Sequence, residues 1–266
     1  MGKFSILLFL LAATLPKARA QTWEGGIFMG ASNYKGDIAP TIDYGETHFS
    51  YGILGKANIN RFWSIQLAYQ RAYFSADEAN YGPHARRMLS FESQVDEIGL
   101  TAEYHFLPFR MGHQALPYTP YFFTGVSYIG YVPKAKLGGE SYVLQQNPTE
   151  GQGFEGPGEE RSSNQITFPV GMGFKFALGR KWDLAVHAAT RILTNDYFDD
   201  VGTGYPNQES QPGEVAQRLA NPSLLSENPV SDVEGKQRGD HMNTDYLYFT
   251  GISITYKLSD PTCYRF

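Results

Sequence analysis

From Gln165 to Lys175 large apolar side chains alternate with polar or small ones, with Ile166, Phe168, Val170, Met172 and Phe174 on one face. A two-residue period of this kind is a strand with one apolar and one polar face. The pattern recurs along the chain and predicts eight strands, over 23–34, 49–59, 63–75, 88–106, 120–132, 164–176, 182–194 and 245–258. An even number of strands pairing with their sequence neighbours predicts an all-β fold, an eight-stranded antiparallel up-and-down β-barrel. A short turn of helix near 213–220 is the one departure.

The two faces differ in a way that orients them. Apolar sets include Ile65/Leu67/Tyr69, Ile98/Leu100/Ala102/Tyr104, Ile166 to Phe174 in steps of two, and Trp182/Leu184/Val186/Ala188. The opposite faces carry Lys56, Glu97, Glu103, His105, Lys175, Asp183, His187 and Arg191. Inward charges on strand after strand would ruin an apolar ligand-binding interior. They suit a transmembrane barrel that turns its apolar face to lipid and pairs charges across a packed lumen. Matching faces around 177–181 sets Phe176 opposite Trp182 and predicts a lumen ion pair between Lys175 and Asp183, subject to a two-residue slip.

Long and short connections alternate. Segments 35–48, 76–87, 133–163 and 195–244 are long and polar, 60–62 and 177–181 are short, and 107–119 is intermediate. Outer-membrane barrels keep short turns in the periplasm and long loops outside, so the chain is expected to be integral to the outer membrane with long extracellular loops and both termini periplasmic. Trp23, Trp63 and Trp182 each open a strand at the short-turn end. They are predicted to form an interfacial girdle against outer-membrane lipid, because the indole ring is amphipathic.

Targeting and composition agree with export. Residues 1–20 read as a signal peptide, with Lys3, an apolar stretch over 4–15 and a small-x-small site at Ala18-Arg19-Ala20. Residues 21–266 then form a single outer-membrane barrel domain. Removing the signal takes the basic residues from 22 to 19 against 27 acids, a formal −8 that argues against nucleic acid as a partner. The mean hydropathy of −0.35 looks soluble, but barrels hide from hydropathy because only alternate residues face lipid. A lone cysteine, Cys263, rules out an internal disulfide framework and predicts either an intermolecular disulfide or a free thiol facing the periplasm.

Candidate chemistry is sparse. Asp183 and His187 share a face but lie about 13 Å apart along a strand. Neither Gly-x-Ser-x-Gly nor His-Glu-x-x-His occurs, and no Ser sits beside a His in sequence, so no catalytic residue is expected. The acidic run Asn195-Asp196-Tyr197-Phe198-Asp199-Asp200 lacks the spacing of a calcium loop and is expected to be a solvated turn; no metal or cofactor is expected. Arg238-Gly239-Asp240 matches an integrin tripeptide too short to carry weight. Arg61, Arg110, Arg180, Lys181 and Arg265 fall on the predicted short turns or tail, where they would meet lipid headgroups or an acidic protein partner.

Several segments resemble the PorG family, outer-membrane barrels of the type IX secretion system. They are Gly30-Ala31-Ser32-Asn33-Tyr34-Lys35-Gly36-Asp37-Ile38, Pro133-Lys134-Ala135, Thr149-Glu150-Gly151-Gln152-Gly153, Pro169 to Lys175, Asp196-Tyr197-Phe198-Asp199-Asp200-Val201 and Phe249-Thr250-Gly251-Ile252. The likeness runs in order from Gly30 to Cys263, whereas 202–239 matches nothing in it. It implies a non-enzymatic machine component that ties a periplasmic ring of PorK and PorN to the outer membrane. Two other readings stand beside it: a barrel enzyme acting on lipid or protein, and a small-solute pore or adhesin.

Overall fold

The computed structural model describes residues 22–81, 86–109, 117–153, 162–207, 213–240 and 244–258. The signal peptide, Arg110, Cys263 and Arg265 lie outside them. Among the described residues nine strands form: β1 (Thr22–Lys35), β2 (His48–Asn58), β3 (Trp63–Asp77), β4 (Ser90–His105), β5 (Tyr118–Leu137), β6 (Glu140–Val143), β7 (Asn164–Ala177), β8 (Trp182–Leu193) and β9 (Tyr246–Lys257). One short helix, α1 (Glu214–Ala220), lies in the connection before β9. No helix among the described residues is long and apolar enough to cross a membrane.

Eight strands close into an antiparallel barrel. Sequence neighbours pair from β1 to β4, β4 pairs β5, β7 to β9 continue, and β9 returns to β1. The remaining strand, β6, is not a barrel stave. It folds back on the end of β5, joined through Gly138 and Gly139, whose φ of 61° and 90° suit a tight two-residue hairpin. The sequence pattern ends the fifth strand at 132 because Pro133 cannot donate to a ladder. In the structure Pro133 stands where β5 has left β7 and not yet met β6, so its missing N–H breaks no pairing. Pro169 does interrupt a ladder: β5 and β7 pair up to Thr124–Val170 and resume at Ser127–Thr167.

Outward positions form an apolar belt, crossed toward the long-loop end by the Arg71–Asp96 ion pair at 2.7 Å. Ile27, Ile53, Ile65, Leu67, Ile98, Leu100, Val126, Ile166, Phe168, Met172, Phe174, Val186 and Ile252 are all exposed. Trp23, Trp63 and Trp182 face out at one rim, at 54%, 46% and 49% exposure. There Trp63 meets Tyr104 and Trp182 meets Tyr256 across strands, with ring centroids 5.0 and 4.9 Å apart. Inside, the larger apolar core sits at the long-loop end, where Phe74, Phe91, Val95, Ile129, Tyr131 and Leu247 from strands meet Phe198, Val201 and Leu219 from connections.

The β7–β8 register is the expected one displaced by the two-residue slip allowed for it. Phe176 pairs with Leu184 and Lys175 with Ala185, while Asp183 pairs with Ala177. The 177–182 turn closes with Leu178 N–H donating to Trp182 O at 2.8 Å, and Gly179 takes φ 88°. That turn geometry, not the facing pattern, sets the pairing, because a two-residue slip keeps every side chain on its own face.

Candidate functional site

The lumen is filled by ionised side chains. Glu103 on β4 lies between two lysines, with Lys56 Nζ at 2.7 Å and Lys175 Nζ at 3.0 Å, all nearly fully buried. Lys175 also reaches His105 Nε2 at 3.2 Å. The predicted Lys175–Asp183 pair is therefore replaced by Lys175–Glu103: the slipped register sets Asp183 off the Lys175 row, and neither Asp183 oxygen has a hydrogen-bond partner. Higher up, Arg191 grips Glu97 through Nε at 2.9 Å and Nη2 at 3.1 Å and lies over the Phe249 ring. His187 stacks on Phe28 with centroids 5.2 Å apart, and its Nδ1 is 3.3 Å from Tyr121 Oη. Between the two ion-pair layers is a cavity of only about 40 Å³, bordered by Glu97, Thr101, Glu103, His187 and Arg191.

Both ends are corked. At the short-turn end Phe109 is buried, its N–H bonded to Arg61 O at 2.9 Å and its ring 5.5 Å from Lys175 Nζ. At the long-loop end the connection after β8 turns inward and drives Phe198, 0% exposed, into the mouth. Its ring meets Tyr131 at 5.1 Å, Phe74 at 5.6 Å, Phe91 at 5.7 Å and Tyr34 at 5.8 Å. Offset and edge-on contacts of this kind add to the burial of the ring.

Acidic groups surround this upper cork. Tyr34 Oη lies 2.6 Å from both Asp199 Oδ2 and Asp245 Oδ1. A hydroxyl has one hydrogen, so the second short contact calls for a proton on a carboxyl group. Burial first, then the Asp37 charge, pushes Asp199 up, and burial with Asp199 raises Asp245 well above the usual carboxylate range. Gly36 abuts Tyr34 and Asp245 so closely that no Cβ fits. Glu150, fully buried, accepts from Gly202 N–H at 3.1 Å, Thr203 Oγ1 at 2.6 Å and Arg238 Nη1 at 2.9 Å. Asp196 is 8% exposed, yet neither of its carboxylate oxygens is bonded. Burial and the charges of Asp37, Asp199, Asp240 and Glu150 push its carboxyl up to about 9.

A family model described as a domain of unknown function (DUF6089) matches residues 2–212. The chain belongs to this family. No curated protein matches it. Among solved structures it is similar to Neisserial surface protein A, at 14% identity over 89% of this chain and 97% of that one, with a TM-score of 0.45. It is similar also to Ail, the attachment invasion locus protein of Yersinia pestis, at 8% identity over 90% and 99% of the two chains, with a TM-score of 0.42. The outer membrane protein OprG from Pseudomonas aeruginosa matches at 12% identity over 90% and 96%, with a TM-score of 0.37.

In this DUF6089 member the acidic run is not the solvated turn expected of it. Asp196, Asp199 and Asp200 are buried, because Phe198 between them is drawn into the mouth and carries the backbone with it. Arg238-Gly239 is likewise buried and bonded inside the cap, with Arg238 donating to Ala220 O, Asp200 O and Glu150. At the other rim Arg61, Arg180 and Lys181 are exposed on their turns, with Lys181 Nζ 5.8 Å from the Tyr256 ring. In strand order the β2–β3 and β7–β8 turns lie on opposite sides, so these cations are spread around the rim.

Folding also brings together a serine and a histidine that sequence spacing hides. His48 Nε2 lies 2.6 Å from Ser75 Oγ, across 27 residues. Glu46 accepts from the same Ser75 hydroxyl, and its Oε2 is 3.8 Å from the same His48 nitrogen. A hydrolytic triad needs its acid on the other ring nitrogen, orienting the base. Here the acid competes for the serine proton, so the group is a polar clasp between β2, β3 and the turn before β2.

Proposed function

We propose that the chain is an integral outer-membrane barrel that acts as a non-enzymatic anchor in type IX protein secretion, tying a PorK/PorN-type periplasmic ring to the membrane. The observation that carries the reading is a closed tube: an apolar belt outside, ion pairs within, and an aromatic cork at each end. A packed eight-strand interior leaves no route for a polypeptide, so the useful surfaces are the two rims. The Trp-bearing rim, where short turns expose Arg61, Arg180 and Lys181, is assigned to the periplasm with both termini. The type IX assignment rests on the PorG-like segments, and the rim cations supply charge for an acidic partner surface.

The test is retention of PorK- and PorN-type proteins on the affinity-tagged barrel from solubilised outer membranes. Wild type should retain the ring, and Arg61→Ala/Arg180→Ala/Lys181→Ala should lose most of it while still running at different mobilities before and after boiling. A barrel that retains no ring protein, in cells that secrete normally without it, would overturn the assignment.

A further inference from the structure

Asp37, Asp196 and Asp240 come from three separate connections and converge beneath the cap. Asp37 follows β1, Asp196 follows β8, and Asp240 precedes β9. The join is tight: a Cβ on Gly239 would lie 2.7 Å from Asp37 Oδ2 and 2.6 Å from Gly202 N, and one on Gly202 would lie 3.0 Å from Asp196 O. Asp240 N–H donates to both Asp37 oxygens, at 3.1 and 3.0 Å. That leaves Asp196, whose two buried oxygens accept nothing.

Among the described residues, the arginines nearest this cluster are already engaged. Arg238 serves Glu150 and two carbonyls, and Arg87 serves Glu78, Arg238 O and Asp37 O. A buried carboxylate with neither a donor nor a counter-charge is strongly disfavoured. Two remedies exist, a proton or a metal cation, and the surroundings favour the second. The charges that act most strongly on Asp196 are further carboxylates, and a backbone carbonyl of its own residue borders the same glycine contact. Oxygen-only surroundings of negative charge are what hard divalent cations select.

We propose that the cap binds one divalent cation of the calcium class between the Asp196 and Asp37 carboxylates, pinning together the connections after β1, after β8 and before β9. No three carboxylate or imidazole groups among the described residues meet at a single point, so carbonyl and water oxygens complete the shell. The cation compensates the acids around the Phe198 cork and makes cap closure depend on the medium outside the barrel. This inference is independent of any periplasmic partner.

The experiment uses the full mature chain, folded in detergent and stripped with chelator, titrated with Ca²⁺ by calorimetry in high NaCl, with Mg²⁺ titrated in parallel. Limited proteolysis of 195–244 is followed alongside. One Ca²⁺ per chain is expected, with slower cleavage when it is bound. Asp196→Asn should weaken binding at least about tenfold and abolish the protection while leaving the heat-dependent gel shift intact. Asp37→Asn should do the same, and carries the test if the first variant does not fold. No binding at millimolar Ca²⁺, or unchanged binding in a folded variant of either residue, would overturn the proposal.

Discussion

At the scale of single residues, the lumen separates charges that are matched from one that is not. Glu103 holds Lys56 and Lys175 at once, so Glu103→Gln leaves two buried ammonium groups facing a neutral amide. A loss of about 3 kcal/mol or more is expected, since breaking a buried pair strands its partner. Asp183→Asn should change stability by less than about 1 kcal/mol, or raise it, because its oxygens accept no hydrogen bond. Urea titration of the barrel in lipid vesicles measures both; a larger loss for Asp183→Asn than for Glu103→Gln would contradict the pairing described. Phe198 is the second sensitive position. Truncating this fully buried ring should cost about 3 kcal/mol, and the same titration on Phe198→Ala checks it.

At the scale of elements, strands were legible in the sequence and the cap was not. Alternation locates every barrel strand and sorts Lys56, Glu97, Glu103, His105, Lys175, Asp183 and Arg191 onto inward faces, because a strand's two faces are written in its two-residue period. It misses β6, whose Glu-Ser-Tyr-Val offers no contrast between faces, and it reads past the partner of Lys175, because register around a turn is a backbone matter. Neither the corking role of Phe198 nor the burial of its acidic neighbours carries a local signal; both need connections from distant strands. The same cap gives a pH dependence with a definite sign. Asp199 and Asp245 bind protons more tightly folded than unfolded. Their contribution is therefore complete below the unfolded carboxylate value of about 4 and is lost as pH rises through the raised folded values. Burial sets those values first, and Tyr34, Asp37, Asp196 and Arg238, which face the pair, adjust them. With chelator present, proteolysis of 195–244 should accelerate between pH 5 and pH 9. Asp245→Asn should flatten that rise, because an amide can donate to Tyr34 Oη without a shared proton; an undiminished slope would remove Asp245 from the explanation.

At the scale of the whole molecule, closure at three levels decides what the barrel can pass. Phe198 seals the long-loop mouth, the Arg191–Glu97 and Lys56–Glu103–Lys175 layers fill the middle, and Phe109 seals the short-turn end. These barriers act in series, so conductance is governed by whichever is tightest. Wild type should show no discrete current steps in a planar bilayer. Phe198→Ala should show none either, even though its mouth is opened, because two layers of ion pairs remain beneath it. A pore reading makes the opposite prediction, since there the cork would be the gate and removing it would release steady single-channel current. Recording both proteins at several ionic strengths separates the two. Stable, salt-dependent steps in Phe198→Ala would turn the cap from a seal into a gate, whereas silence in both leaves the lumen as packing and the rims as the surfaces through which the barrel acts.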